Sequence, residues 1–292
     1  MNMKIILLKI YKGLIKRFTG YGLIKFYPIK VLYKFINSLL IPKYVFVGGH
    51  KMYLDAQDSL NLSIEDKTYK PLETDVLNRN IKKGFVVLDI GANIGDDTLE
   101  IARSVGAEGK VYAFEPDPDS FKLLKKNIRV NGYKNVTLVN KAVSNRNGKI
   151  KLFISDNNKA DHRIYDSKDN RKYVVVDMVS IDSFFKNKKE KVDFIKIDIQ
   201  GAETLALKGM KNLLVASKKP PILSEFWPIG LKRCGSNAKE YLNFLSKVGY
   251  KFFLLDEGKS KILKAGEAEL LKEFTEKKAN FTNLLCLSKM DK

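Results

Sequence analysis

Cysteine and histidine are scarce in this sequence, with two of each among 292 residues. Cys234 and Cys286 match neither a disulfide framework nor the spacing of a zinc site, and Cys286 lies in an apolar run typical of a small buried side chain. His50 and His162 are too few for a histidine-rich metal centre. These absences exclude a disulfide-stabilised scaffold and favour a reducing, cytoplasmic setting.

Long apolar runs are also missing from the N-terminal region, where lysines interrupt every hydrophobic stretch. No segment there approaches the roughly 20 apolar residues of a membrane-spanning helix, and no signal-peptide pattern is present. The apolar residues of 7–18 and of 29–40 recur at helical spacing with lysines opposite them, and Pro28 separates the two segments. We predict that residues 1–44 form a basic, amphipathic, helical extension.

Acidic residues do not occur before Asp55, although residues 1–54 contain ten lysines and arginines. The whole chain has a formal net charge of +20, so this region carries a large share of the excess. Basic amphipathic helices commonly lie in a membrane interface, which predicts a peripheral position at the inner face of the membrane. Packing on the main domain, or on a second copy in a homodimer, is the alternative. Nucleic acid is a less favoured partner.

From about residue 45, short apolar runs alternate with amphipathic helical patterns. The runs "FVVLDI", "KVYAFEP", "VDFIKIDIQG" and "PPILSEFW" have the composition of buried strands separated by helices. Strands that alternate with helices form a parallel, doubly wound sheet. We therefore predict an α/β fold with a Rossmann-like, doubly wound, seven-stranded and mostly parallel sheet in one domain over residues 45–292.

The loop after the first of these strands, "DIGANIG", has the features of a nucleoside-binding turn. A strand that feeds a glycine-containing turn and a helix binds nucleotide-like ligands at the carboxyl edge of a sheet. The spacing is G-x-x-x-G, which differs from the G-x-G-x-x-G dinucleotide pattern. Asp96 and Asp97 follow, and two carboxylates at a helix N-terminus would repel a pyrophosphate. A cationic nucleoside such as S-adenosylmethionine fits better, and the predicted binding residues are Asp89, Gly91, Asn93 and Gly95.

Glu115 ends the next strand, in "VYAFEP". An acid at the end of the second strand is placed to accept hydrogen bonds from both hydroxyls of a ribose. Taken alone, Glu115 also fits a helix-capping role. Together with the glycine loop upstream, the ribose role is the stronger interpretation.

These motifs resemble a known family. "DIGANIG" and "KVYAFEPDPDSFKLLKKNIRVNG" are similar to the class I S-adenosylmethionine-dependent methyltransferases, and most of all to the FkbM-type O-methyltransferases. "GHKMYLD" at 49–55 and "KIDIQGAE" at 196–203 match the same family, and the resemblance covers roughly residues 45–255. The sequence departs from the pattern at Gln200, where Glu is usual. The resemblance implies S-adenosylmethionine as cofactor and methyl transfer to a hydroxyl, often on a sugar or a polyketide-like product.

Methyl transfer to a hydroxyl needs alignment of the oxygen and a base for its proton. Asp198 ends the fourth parallel strand, and Glu225 ends the fifth. His162 lies in the polar segment 156–172, which is placed to cover the site, and histidine suits base catalysis near neutral pH. Each candidate has a second interpretation: Asp198 binds the ammonium group of the cofactor's methionine, Glu225 is a structural acceptor, and His162 is a surface residue.

The acceptor site is less defined. Trp227 follows a strand end, where a sugar ring often stacks on tryptophan, although a core position is equally compatible. Arg163 and Arg233 are candidates for a phosphate or carboxylate on the acceptor, with surface solvation as the alternative. Asp198 and Glu225 could share a magnesium ion, but two acids do not define a metal site, so none is predicted.

The sequence therefore favours an O-methyltransferase whose partner is a glycan, a glycolipid or another small-molecule hydroxyl acceptor, held near a membrane by residues 1–44. The charge of +20 keeps an RNA methyltransferase, acting on ribose or base, as the alternative. "DIQG" lacks the prolines that follow the fourth strand in many base methyltransferases. A binding module without activity is disfavoured because the cofactor motifs are intact.

Overall fold

A computed structural model describes residues 42–55, 70–156 and 158–288. Almost all of the predicted extension, residues 1–44, lies outside the described residues, and its division from the rest of the chain stays a prediction. Within the described residues, no helix combines the length and the apolar character that crossing a bilayer requires.

Strands and helices alternate through most of the described chain. The strands are β1 (Tyr44–Val47), β2 (His50–Tyr53), β3 (Val86–Ile90), β4 (Lys110–Phe114), β5 (Val136–Val139), β6 (Ala142–Val143), β7 (Gly148–Phe153), β8 (Tyr173–Val179), β9 (Phe194–Ile197), β10 (Ile222–Phe226), β11 (Tyr250–Asp256), β12 (Lys261–Ala265) and β13 (Thr282–Ser288). The helices are α1 (Pro71–Asn80), α2 (Asp96–Val105), α3 (Pro118–Val130), α4 (Ile181–Phe185), α5 (Glu203–Lys208), α6 (Lys211–Ala216), α7 (Pro228–Arg233), α8 (Ala238–Val248) and α9 (Glu267–Glu273).

The central sheet has the strand order β12-β11-β13-β10-β9-β3-β4-β5 in the described chain. Strands β5, β4, β3, β9 and β10 are parallel to their neighbours, whereas β13 runs antiparallel to β10 and β11. This confirms the predicted Rossmann-like, mostly parallel sheet. The chain leaves β3 towards β4 and β5 and later returns to β9 on the other side, and such a reversal opens a ligand crevice at the carboxyl ends of the strands.

Within the described residues the central sheet has eight strands, one more than predicted. The additional strand, β12, pairs antiparallel with β11 at the edge of the sheet. Its sequence "KILKA" carries Lys261 and Lys264, and most of its side chains are exposed. Charged, exposed strands are typical of sheet edges, and their weak hydrophobic signal explains why the sequence pattern did not show this one.

Both faces of the central sheet are buried, as a parallel sheet requires. In β3, Val87 packs with Ile101 and Val111 on one face, whereas Leu88 and Ile90 join the larger cluster on the opposite face. The alternation follows from the period of two along a strand. Asp89 also points to the face of Val87, which removes its side chain from solvent.

A hairpin and a second sheet flank the carboxyl edge of the central sheet. Strands β1 and β2 form an antiparallel hairpin that turns at Gly48 and Gly49. The buried amide of Asn127 in α3 holds it, because Nδ2 of Asn127 donates to the carbonyl oxygens of Tyr53 and Ile94. The second sheet has the order β6-β8-β7. The segment between β7 and β8, residues 154–156 and 158–172, is called the lid below.

Candidate active site

A cavity of about 640 Å³ lies at the carboxyl edge of the central sheet, beneath the lid. Its size falls within the roughly 300–1,000 Å³ typical of small-molecule sites. It brings together residues that are far apart in the sequence, and the predicted site residues that line it are Gly91, Asn93, Glu115, His162, Arg163, Asp198, Glu225 and Trp227. Asp89, Gly95 and Arg233 are not among the lining residues.

Gly91 brings the loop after β3 close to the backbone of Asp198, which follows β9. Its φ is +89°, and a β-carbon there would lie 1.9 Å from the backbone oxygen of Asp198. A side chain at this position is therefore excluded by both conformation and space. Gly95 stands at the start of α2, where a β-carbon would lie 2.7 Å from Leu124, so it supports the loop from behind.

Asp89 acts within the structure of the loop. Its carboxyl group accepts a hydrogen bond from the hydroxyl of Thr98 in α2, and Nζ of Lys196 lies 3.6 Å from its Oδ1. Asp89 and Lys196 are also direct partners across β3 and β9. Burial raises the pKa of Asp89 despite the nearby Lys196 charge. In the structure this side chain contacts α2 and β9 and fixes the loop, and its role in cofactor binding stays a prediction.

Lys196 was missed in the sequence, although a lysine within an apolar strand is an unusual feature. Its Nζ lies 2.9 Å from Oδ2 of Asp97 and 3.5 Å from the carbonyl oxygen of Gly91. Burial would lower the pKa of Lys196, but Asp97 and Asp89 raise it well above its ordinary value. The positive charge of Lys196 thus offsets the negative charge of Asp97. Asp97 therefore repels a phosphate group less strongly than the sequence alone indicated.

Glu115 is held with its carboxyl group at the cavity wall. Its two oxygens accept hydrogen bonds of 2.8 Å from the backbone N–H groups of Asn93 and Asp117. A carboxylate has about four acceptor sites, so further hydroxyl donors can bind it. Burial, with the charge of Asp117 adding to it, raises the pKa of Glu115 to about 8. The capping alternative does not hold, because Asp117 caps α3 by accepting from the N–H of Ser120.

His162 lies in the lid on the same flank of the cavity as Glu115. Its Nδ1 accepts a hydrogen bond from the N–H of Ser155, so a neutral ring carries its proton on Nε2. Nε2 faces Oδ2 of Asp117 at 3.8 Å. Burial would raise the pKa of Asp117, but the His162 ring and the Ser120 amide lower it to about 2.

Asp198 and Glu225 meet on the opposite flank. Nε2 of Gln200 lies 3.0 Å from Oδ1 of Asp198 and 3.2 Å from Oε2 of Glu225, so one amide group joins both acids. Burial, followed by the charges of Asp198 and Glu203, raises the pKa of Glu225 well above its ordinary value. Because β3 separates β4 from β9, and β10 lies one strand further, Asp198 stands roughly 10 Å and Glu225 roughly 14 Å from the Glu115 flank. The predicted bases therefore fall into two groups.

Arg163 and Trp227 form a wall between the lid and β10. The Arg163 guanidinium lies 4.9 Å from the centre of the Trp227 ring, and Asp161 pairs with it at 2.6 Å. Its side chain is mostly buried, so the surface alternative for Arg163 does not hold. Arg233, in contrast, is exposed. Phe281 also lines the cavity and is 63% exposed, which places an aromatic ring at the mouth.

The Rossmann-like sheet and the nucleoside-sized cavity at its carboxyl edge define a class I S-adenosylmethionine-dependent methyltransferase domain. The profile of the Methyltransferase FkbM domain matches residues 89–252, more than half of the chain. The chain belongs to the FkbM methyltransferase family.

Other similarities are more limited. The demethylmenaquinone methyltransferase of Geobacillus stearothermophilus is 31% identical over 83 residues, which cover 28% of this chain and 36% of that protein. A probable cobalt-precorrin-6B C(15)-methyltransferase of Sulfolobus acidocaldarius is 38% identical over 56 residues, covering 19% and 29%. The chain thus spans about a third of these relatives. A crystal structure of the methyltransferase FkbM from Methylobacillus flagellatus KT is 18% identical with a TM-score of 0.43, covering 71% of this chain and 44% of that one.

Proposed function

We propose that the protein transfers a methyl group from S-adenosylmethionine to a hydroxyl group of a sugar, glycan or glycolipid. The observation that carries this proposal is the pair of acids Asp198 and Glu225 beside the Gly91 loop. A buried carboxyl group at the floor of a nucleoside-sized cavity is a suitable base for a hydroxyl proton.

The residues of the cavity fit the cofactor. Gly91 allows the backbone to approach a ligand where any β-carbon would collide with Asp198. Glu115 presents a fixed carboxyl group to a pair of ribose hydroxyls, at the end of β4. Asp198, which directly follows β9 beside Gly91, binds the ammonium group of the methionine portion. The backbone N–H of Asn93 donates a hydrogen bond to Glu115, which fixes the loop against β4.

The chemistry divides between the cofactor and the chain. When bound, S-adenosylmethionine would supply a methyl group activated by its sulfonium, whose S–C bond breaks to leave S-adenosylhomocysteine as a neutral thioether. Glu225, in its ionised form, accepts the proton of the acceptor hydroxyl as the new O–C bond forms. Gln200 and Asp198 keep that carboxyl group in place. Trp227 and the guanidinium of Arg163 orient the acceptor, and the lid excludes water from the reacting groups.

His162 has a different proposed role. It contacts Asp117, which follows the ribose-binding position by two residues. We assign it to closure of the nucleoside end, and we assign proton removal to Glu225. An experiment can distinguish the two roles. Substitution of His162 should weaken cofactor binding, and it should lower the rate of methyl transfer by the cofactor-bound protein much less.

An aromatic wall supports a sugar as acceptor. Trp227 lies against Arg163 on one side of the cavity, and Phe281 stands exposed at the mouth. Rings of this kind give a sugar its apolar contact, and a planar guanidinium adds hydrogen-bond donors. A lipid-linked sugar would also explain a basic N-terminal region that approaches an anionic membrane.

The test is to supply labelled S-adenosylmethionine with extracts separated into lipid-linked glycan, RNA and other small-molecule fractions. We expect label in the lipid-linked glycan fraction with the native protein, and little with the Glu225→Gln variant. Label in RNA would replace the proposal with the RNA methyltransferase alternative, which the charge of +20 favours. Absence of transfer to every fraction, despite cofactor binding, would contradict the activity itself.

Membrane attachment is tested separately. The full-length protein should sediment with anionic vesicles, and a variant lacking residues 1–44 should not, although it still binds cofactor. Equal sedimentation of the two proteins would contradict attachment through this segment.

A further inference from the structure

Gln200 contacts both Asp198 and Glu225, the two acids at the floor of the proposed active site. Its Nε2 lies 3.0 Å from Oδ1 of Asp198 and 3.3 and 3.2 Å from the two carboxyl oxygens of Glu225. An amide NH₂ group has two hydrogens to donate. One hydrogen can therefore be directed to each acid, across the neighbouring strands β9 and β10.

The backbone fixes the position of this amide. Gln200 has a φ of +54°, which is rare for a residue other than glycine, and Gly201 follows with a φ of +101°. A β-carbon at Gly201 would lie 2.5 Å from the backbone of Gly230 in α7. The turn therefore packs tightly against α7. Because the backbone is fixed in this way, a glutamate at position 200 would place its side chain as the glutamine does.

Two carboxyl groups that converge on one amide nitrogen need a bridge between them. A proton, a hydrogen-bond donor or a divalent cation can supply it, because uncompensated like charges repel. Nζ of Lys70 lies 3.6 Å from Asp198 and offsets part of the charge there. Within residues 42–55, 70–156 and 158–288, no group of three or more His, Cys, Asp or Glu side chains is placed to hold a metal.

We propose that Gln200 is a positioning residue whose amide takes the place of a divalent cation between Asp198 and Glu225. The nature of this one side chain then decides whether the site binds metal. In the native protein the bridge is a pair of N–H donors, and the pair of acids works without a metal. A glutamate at position 200 would replace the N–H donors with acceptor oxygens. It would add a third carboxylate to Asp198 and Glu225, and carboxylates are the ligands that hard divalent cations prefer.

The test uses Mn²⁺ as the probe and electron paramagnetic resonance to count the bound ion, with full-length protein freed of metal. We expect no saturable Mn²⁺ site at these residues in the native protein and one bound Mn²⁺ per chain in Gln200→Glu. The added substitution Glu225→Gln should remove that site. Loss of an outer-shell partner alone typically lowers metal affinity roughly 10- to 100-fold, so loss of a ligand should cost at least as much. Gln200→Ala, which removes the donor without adding an acceptor, is the matched control.

Two results would overturn the inference. One is native binding of Mn²⁺ that disappears in Glu225→Gln, because Gln200 would then present its oxygen to a cation. The other is a folded Gln200→Glu protein, verified by circular dichroism, with no Mn²⁺ site. If Gln200→Glu does not fold, the comparison between native protein and Glu225→Gln still decides whether the native site takes metal.

A second readout depends on the proposed function. Labelling by the native protein should be unaffected by EDTA, and labelling by Gln200→Glu should change with added Mn²⁺. The binding measurement needs neither acceptor nor activity, so the inference about Gln200 and the proposed methyl transfer can fail independently.

Discussion

Nζ of Lys196 lies 2.9 Å from Oδ2 of Asp97, and both side chains are at least nine-tenths buried. The pair stands directly behind the loop that contains Gly91, and the Lys196 ammonium also faces Asp89. A buried pair gains little over an apolar contact when intact, but removing one partner leaves an uncompensated charge away from water. The geometry of the loop therefore depends on Lys196.

We predict that Lys196→Met lowers the free energy of unfolding by roughly 3–5 kcal/mol, the usual effect of breaking a buried ion pair. Urea unfolding at neutral pH measures it. Lys122→Met, at an exposed position of α3, should change stability by less than about 0.5 kcal/mol. Equal effects of the two substitutions would show that the pair carries no structural role.

We predict that Glu115→Gln weakens binding of S-adenosylmethionine about 10- to 100-fold. Glutamine keeps the size of the side chain, but its NH₂ group would face an N–H donor of Asn93 or Asp117 and could not accept from a ribose hydroxyl. Hydrogen bonds to charged groups contribute about 1.5–3 kcal/mol each, which sets this range. Calorimetry with purified protein at about pH 9, where Glu115 is ionised because its pKa is about 8, measures the dissociation constant.

The control for Glu115 is Asp119→Asn, because the Asp119 side chain is 80% exposed at the start of α3, the helix that follows Glu115. It should bind the cofactor as the native protein does. A Glu115→Gln protein with native affinity would remove the ribose assignment and leave Glu115 as a brace for the loop.

The sheet was predictable because each strand of a parallel sheet is apolar on both faces and each helix repeats its own period. The placement of Glu115 and Asp198 at one cavity was predictable for a related reason: both follow strand ends, and parallel strands end at one edge. The contact between His162 and Asp117 was not predictable, because it joins the lid to a helix cap across two sheets. The role of Lys196 was not predictable, because its burial depends on the ion pair with Asp97. The sequence alone does not show that these two side chains face each other.

The pH dependence of the rate tests the role of Glu225. Burial, Asp198 and Glu203 hold the pKa of this group well above its ordinary value of 4.5. A base acts in its ionised form, so kcat should fall as the pH decreases through this raised pKa and level off above it. Glu225→Gln should lower kcat by about 10²- to 10⁴-fold and remove this limb of the profile.

His162→Gln is the comparison for Glu225. If His162 closes the nucleoside end, the variant should keep the acidic limb of the kcat profile and show weaker cofactor binding. An acidic limb that survives in Glu225→Gln and disappears in His162→Gln would exchange the two assignments.

Binding of S-adenosylmethionine by Gly91→Ala and Gly132→Ala, measured by calorimetry beside the native protein and beside NAD, tests the central claim most directly. Both glycines have positive φ values, +89° and +76°, but only at Gly91 does a β-carbon strike the site, 1.9 Å from the oxygen of Asp198, whereas Gly132 has nothing within 4 Å. The account predicts one bound S-adenosylmethionine per chain in the native protein and in Gly132→Ala, none in Gly91→Ala, and no binding of NAD. Native affinity in Gly91→Ala, or NAD bound in place of S-adenosylmethionine, would contradict it.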